Sequence, residues 1–228
     1  MRIFLLCLVA ALASWSADAR AESAVANGAR GEPACARLIR PTEVRIDRIA
    51  APVTYKLDES AAEIGARSGL TSQPGSVVRG LTQSAFHSQL SVTFATMQTS
   101  AGVCVQPAAI ELHIGFDPVI VYIERDYGRG SCQYEAIDGH EQQHVRNMDT
   151  ALDAWLPRIR AALDAAADDR RYPMLARDEE AAQTDGVAII NAALDVPLDG
   201  FARDRAAMDA ALDSPDSYKA LKASCATW

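Results

Sequence analysis

The sequence predicts a single α+β domain in which a small antiparallel-rich sheet is followed by a mostly helical half. Between residues 41 and 126, apolar residues alternate with polar ones, as they do in strands that bury one face. From residue 134 to residue 228, alanine, leucine and charged residues dominate, and apolar positions recur at the helical period. Strands first and helices afterwards is the order typical of the α+β class.

The first residues predict export to the periplasm or secretion. Met1 and Arg2 give a short basic start, and an apolar run over residues 3–15 is followed by small residues that offer a cleavage site. We therefore expect a signal peptide over residues 1–21. The apolar run is too short to cross a membrane and no later run is long or apolar enough, so no membrane span is expected.

The rest of the chain has the composition of an ordinary globular domain, with 49% hydrophobic and 23% charged residues. We expect a flexible lead-in over residues 22–40 and a single domain over residues 41–228. The formal net charge of −8 argues against binding to nucleic acid, whose phosphates would require a basic face. Four cysteines remain after the signal peptide, which in an exported chain predicts two disulfide bonds.

Two short strands and a helix are expected first in the domain. Apolar and polar residues alternate over residues 43–47 and again over 53–57, with a break at Ala51-Pro52. Ser60 and Glu63 fit a capping box, which predicts a short helix over residues 60–67. The glycine- and serine-rich residues 68–80 are expected to form a loop.

Three further alternating or apolar runs complete the strand-rich half, at residues 86–94, 109–116 and 119–125. Asp117-Pro118 separates the last two, which we expect to form a hairpin. Such a hairpin would bring Cys104 and Cys132 together at its open end. This favours a Cys104–Cys132 bond and leaves Cys35 to pair with Cys225.

The helical half is expected to consist of several helices separated at prolines and glycines. The first covers residues 134–163, with Pro157 kinking or dividing it. A second over residues 178–194 is closed by Pro197 and Gly200. A third covers residues 201–212, and Ser214-Pro215 begins a final short helix.

Residues 140–144, His-Glu-Gln-Gln-His, form an H-E-x-x-H motif on the first of these helices. Residues four apart lie on one helical face, so His140 and His144 can both bind one metal ion while Glu141 stands beside them. Apolar residues recur on the same side of the helix, so the histidines face inward, where an unligated polar ring is costly. The motif therefore predicts a zinc site with His140 and His144 as ligands.

Such a site needs at least one more protein ligand. Asn147 and Thr150 stand where the extended metzincin pattern has glycine and a third histidine, which excludes that class. No histidine follows His144, so we expect a carboxylate on a later helix. Glu180 is the preferred third ligand, with Glu179 and Asp185 as alternatives, although an acidic first turn also stabilises a helix N-terminus without any metal.

The chemistry that this motif predicts is metal-assisted hydrolysis, with Glu141 acting as general base and then as proton donor. Stabilising the developing oxyanion requires a further donor, and the sequence leaves this role open. The candidates are Tyr127, Tyr134, Tyr218 and Arg146. An edge strand beside the cleft would hold an extended peptide by main-chain pairing.

The motif and its placement resemble the predicted secreted zinc-dependent proteases of bacteria and, more broadly, zincins of the gluzincin type. The resemblance covers residues 53–165: a strand-rich half, the segment Ser-Ala-Gly-Val-Cys-Val at 100–105 that opens a strand pair, and then the motif helix. It implies a zincin-like fold, zinc bound by His140 and His144, and Glu141 as the catalytic base. Asp138 and Arg146 depart from the uncharged residues usual around this motif.

The preferred function is therefore an exported zinc metallopeptidase acting on a peptide or protein, cell-envelope material included. The alternative from another class is a non-catalytic envelope or periplasmic binding or structural protein on the same zincin-like scaffold. A zinc hydrolase acting on non-peptide amides, such as cell-wall crosslinks, is the third hypothesis. Metal analysis of protein purified without added zinc separates the first two.

Overall fold

The computed structural model describes residues 33–69 and 77–228. The predicted signal peptide and the start of the predicted lead-in lie outside the described residues. The described part of that lead-in contains a 3-10 helix over Pro33–Leu38. The strands and helices that follow are β1 (Glu43–Ala50), β2 (Val53–Lys56), α1 (Ala61–Ser68), β3 (Gly80–Thr99), β4 (Gly102–Ile123), α2 (Cys132–Ala167), β5 (Met174–Ala176), α3 (Glu179–Leu212) and α4 (Pro215–Ala223).

Strand β4 is the centre of the five-stranded sheet, because every other strand pairs with it. Strand β3 runs antiparallel to β4 along nearly the whole of one edge. Along the other edge, β5, β1 and β2 pair in succession with residues 103–105, 109–116 and 119–122 of β4. Strands β1 and β2 run parallel to β4, and β5 runs antiparallel to it.

The structure is α+β, but the expectation of an antiparallel-rich sheet is wrong, since β1 and β2 are parallel to the central strand. The zincin-like part of that expectation is not confirmed. Both strands lie where the alternating pattern predicts them. Alternation shows which face of a strand is buried, and it carries no information on strand direction. Only Ala51 and Pro52 separate the two strands, and both strands run in the same direction along β4.

The expected hairpin over residues 109–125 is also wrong, because β4 continues through Asp117 and Pro118. Proline lacks a backbone N–H and is tolerated where a strand has no partner. Pairing with β1 ends at Phe116 and pairing with β2 begins at Val119. The register with β3 also shifts between these two residues. Asp117-Pro118 therefore lies in a gap of both ladders, and the strand is not interrupted.

Helices α2 and α3, of 36 and 34 residues, pack on one face of the sheet and enclose the main hydrophobic core. Helix α3 was expected to end before Pro197 and Gly200, and it continues through both. A Cβ atom at Gly200 would lie 2.0 Å from Cη2 of Trp155 on α2. Gly200 therefore allows the two helices to approach closely and does not end α3. The fully buried side chains of this core include Ile110, Leu112 and Ile114 of β4 with Leu152, Ile159 and Ile190 of the helices.

Two disulfide bonds are present, as predicted, but their partners differ from the expected ones. Cys35 bonds Cys104, and Cys132 bonds Cys225. The Cys104–Cys132 pair depended on the hairpin. In the continuous strand, Cys104 lies near the start of β4 and Cys132 follows its end, so roughly 60 Å of extended strand separates them.

Disulfide bonds persist in oxidising compartments such as the periplasm, which agrees with an exported protein. Among residues 33–69 and 77–228, no helix is both long and apolar enough to cross a membrane.

Candidate metal centre

Three side chains from two helices converge at one end of the helical layer. His140 and His144 belong to α2, and Asp213 is the C-cap residue of α3. Asp213 Oδ1 lies 3.1 Å from Nε2 of His140 and 3.2 Å from Nε2 of His144. One ligand atom from each residue lies within 4.8 Å of the others, and in the described part of the chain this is the one such cluster of metal-binding side chains.

The donor set suits zinc. Tetrahedral zinc binds imidazole nitrogen and carboxylate oxygen at about 2.0–2.2 Å, so neighbouring ligand atoms lie roughly 3.3 Å apart. The contacts of 3.1 and 3.2 Å are close to that spacing. The side chain of His140 is 6% exposed and that of Asp213 is 42% exposed, so the cluster opens to solvent on the Asp213 side. Three protein ligands and one open side are typical of catalytic zinc sites.

Asp213 lies beside His140 and His144 because α2 and α3 are antiparallel neighbours of similar length. His144 contacts Asp209, and His140, four residues nearer the start of α2, contacts Asp213, four residues nearer the end of α3. The C-terminus of α3 therefore lies beside the N-terminal half of α2.

Glu180, the predicted third ligand, is not at this site. It is exposed in the first turn of α3, roughly 50 Å along the helix from Asp213. Glu179 and Asp185 lie near the same end of α3, so the structure does not bring these alternatives to the histidines either. The prediction failed because α3 was expected to be two helices. As one helix, it brings its last residues to the motif and carries its first residues away.

Asp209 contacts the other nitrogen of the His144 ring. Its Oδ1 is 3.1 Å from Nδ1 of His144 and accepts a hydrogen bond of 3.2 Å from Asn147. Its Oδ2 is 3.4 Å from Nε of Arg205. A carboxylate on the far imidazole nitrogen fixes the tautomer and the orientation of the ring, so that Nε2 faces Asp213. The sequence signal for this residue is the four-residue spacing of Arg205, Asp209 and Asp213, which puts them on one helical face.

The charges in the cluster are strongly coupled. Burial alone lowers the pKa of His144, but its hydrogen bonds to Asp209 and Asp213 outweigh burial and raise that pKa to about 10. Burial alone raises the pKa of Asp213, and its hydrogen bonds with His140 and His144 outweigh this and lower it. The carboxylates thus favour a positive charge between them, and a metal ion that replaces the proton on His144 would supply that charge.

Glu141 is buried next to the cluster and contacts strand β3. Oγ1 of Thr82 lies 2.8 Å from Oε2 of Glu141 and 3.1 Å from its backbone oxygen. Burial raises the pKa of Glu141, and the Thr82 hydroxyl with the charges of His140 and His144 offsets only part of that rise. A raised pKa suits a carboxyl group that accepts a proton and then donates it near neutral pH.

Gly80 leaves the space that the Glu141 carboxylate occupies. A Cβ atom at this position would lie 2.5 Å from Oε1 of Glu141 and 2.5 Å from Cγ2 of Ile137. We expect Gly80→Ala to displace the carboxylate. For the zinc hydrolase that the sequence predicts, this means a kcat lowered by up to ~100-fold, with zinc content unchanged because the change leaves His140, His144 and Asp213 untouched. Gly128→Ala is the control, since nothing lies within 4 Å of a Cβ atom there. Equal kcat values for the two folded variants would contradict this role of Gly80.

Of the four residues that the sequence offers for oxyanion stabilisation, Tyr218 lies at the cluster. Its hydroxyl donates a hydrogen bond of 2.9 Å to Oδ1 of Asp213, and its ring centroid is 5.3 Å from that of His140. Burial and the charge of Asp213 raise the pKa of Tyr218, so its hydroxyl keeps its proton and remains a donor. The other three make other contacts: Tyr134 packs in a buried cluster with Val121, Tyr127 packs on Trp228, and Arg146 is exposed and bonds Gln143.

Comparison with known proteins gives no assignment. No protein-family model, no curated protein and no solved structure matches the chain.

Proposed function

We propose that this protein is an exported zinc metallopeptidase in which His140, His144 and Asp213 bind zinc and Glu141 is the general base. One observation carries the proposal: the Nε2 atoms of His140 and His144 both lie within 3.2 Å of the same oxygen of Asp213. The buried side chain of Glu141, next to His140 in the chain, is the proposed base. The two disulfide bonds support the exported location.

Each residue of the cluster has a part in the proposed hydrolysis. Zinc, when bound, supplies Lewis-acid chemistry that polarises a carbonyl oxygen and makes water more acidic. Glu141 accepts a proton from the attacking water and then donates it to the leaving amine. The Thr82 hydroxyl holds the Glu141 carboxylate in place for both transfers. Tyr218 turns its hydroxyl from Asp213 to the substrate oxygen as negative charge develops there.

The free edge of β3 supports a peptide as the substrate. Within the described residues, no strand pairs with the edge of β3 that faces away from β4. The same strand carries Gly80 and Thr82, which contact the proposed base. An extended peptide that pairs with this edge would pass beside Glu141.

The test is metal content and activity in the same preparation. We expect protein purified without added zinc to contain about one zinc per chain and to cleave quenched fluorescent peptides. A chelator should abolish cleavage, and zinc should restore it. Zinc below about a tenth of an equivalent would contradict the metal site. Bound zinc without peptide cleavage would instead favour a binding protein, and cleavage of cell-wall crosslinks alone would change the substrate class.

A further inference from the structure

A pocket of about 440 Å³ adjoins the candidate metal centre. Its wall consists mainly of apolar side chains from β3 and α3. Asp209, which contacts His144, also lines this pocket, so the pocket and the metal centre share a wall. The other lining residues used below are Phe86, Leu198, Arg205 and Ala206.

Two elements independently give the distance from the metal centre to the pocket. On α3, Asp209 and Arg205 precede Asp213 by four and eight residues, which is about 6 and 12 Å along the helix. On β3, Thr82 contacts the base and Phe86 lines the pocket, and four residues of strand span about 13 Å. A substrate side chain close to the cleaved bond therefore reaches the pocket, and a distant one does not.

The two charges in the wall of the pocket compensate each other. Arg205 Nε is 3.4 Å from Oδ2 of Asp209, and the Arg205 guanidinium lies over the ring of Phe116 and donates to Ser84. A carboxylate in the pocket is attracted by Arg205 and repelled by Asp209, and an ammonium group the reverse. Either group would therefore meet a repulsion and lose its hydration without a net attraction to offset them. An uncharged apolar group meets neither penalty and buries its surface against Phe86 and Leu198.

We propose that this pocket is the specificity site and that it binds a large apolar side chain, aromatic or aliphatic, within two residues of the cleaved bond. This inference rests on the proposed peptidase function. It predicts a substrate class of peptides with phenylalanine, leucine or methionine next to the cleavage site. Small or charged residues at that position should be poor substrates.

Peptides that differ only near the cleavage site test the proposal. We expect kcat/KM to be roughly 10–200-fold higher with phenylalanine or leucine than with alanine, as is usual for a hydrophobic subsite. Aspartate and lysine should be at least as poor as alanine. Binding of the same peptides to the Glu141→Gln variant, measured by fluorescence anisotropy, should follow the same order without any turnover.

Two phenylalanine substitutions on α3, one inside the pocket and one outside it, give a matched comparison. Ala206 lines the pocket and is exposed, so Ala206→Phe should occupy the pocket and reduce the preference for phenylalanine to about that for alanine. Ala207→Phe places the same side chain on the exposed side of α3 and should leave the preference unchanged. Cleavage without an apolar preference, or a preference that Ala206→Phe does not alter, would overturn this inference alone. Absence of zinc and of all cleavage would overturn the proposed function instead.

Discussion

Replacing Asp213 with alanine is expected to remove zinc from the purified protein. The change leaves two histidines and deletes the oxygen that both Nε2 atoms contact. Loss of an outer partner of a zinc ligand already weakens metal affinity by ~10–100-fold, so loss of a ligand should exceed that range. Competition with a fluorescent zinc chelator measures the affinity, and circular dichroism checks that the fold is retained.

Glu180→Ala is the matched control for this experiment. It removes a carboxylate from the other end of the same helix, where Glu180 is exposed in the first turn. Its expected effect is a loss of about 0.3–1 kcal/mol of stability from the helix dipole, with zinc affinity unchanged. The opposite result, zinc lost in Glu180→Ala and kept in Asp213→Ala, would contradict the ligand set and require a different placement of α3.

Local signals in the sequence predict much of the secondary structure. The capping box of Ser60 and Glu63 begins α1, and Ser214-Pro215 begins α4, as the sequence predicts. These features depend on hydrogen bonds between residues three apart, so a short window contains all the information. Strands β1 and β2 are likewise predictable from alternation alone.

Proline and glycine are poor predictors of where a strand or helix ends when tertiary contacts accommodate them inside it. Pro118 lies in β4 at a gap between its partners, and Gly200 lies in α3 against Trp155. Read locally, both predict the end of an element. Whether a missing N–H or a missing Cβ matters depends on the neighbouring strand or helix, and that neighbour is distant in the chain. The disulfide pairing and the strand directions were mispredicted for the same reason.

The motif residues of the candidate site can be located from the sequence, whereas Asp213 cannot, because its position depends on a contact between distant parts of the chain. His140, Glu141 and His144 lie within one helical turn, so their shared location follows from helix geometry. Asp213 follows His144 by 69 residues, and its position depends on α3 being one continuous antiparallel helix. The structure places a carboxylate of a later helix beside the two histidines, and this is the kind of residue that the sequence predicts as the third ligand. Choosing among the carboxylates required the length of that helix.

Glu141→Gln should greatly slow peptide cleavage while zinc remains bound. The amide keeps the size of the carboxylate and can still contact Thr82, but it cannot accept a proton from water. General base catalysis contributes ~10²–10⁴-fold, so kcat should fall by that factor. Zinc content should stay at the wild-type level, because Glu141 is absent from the cluster of ligand atoms. Quenched peptides measure kcat, and elemental analysis of the same sample measures zinc.

Glu135→Gln makes the same chemical change on the same helix and serves as the control. Glu135 is exposed in the first turn of α2. Among the described hydrogen bonds, its carboxylate accepts only the one from the backbone N–H of Gly130, so kcat should be unaffected. A folded, zinc-loaded Glu141→Gln protein with wild-type kcat would show that another group is the base. Equal losses in both variants would indicate that kcat responds to the charge of α2 as a whole. A loss confined to Glu141→Gln would separate the general base from the metal site, because cleavage would be greatly slowed while the ligands still hold zinc.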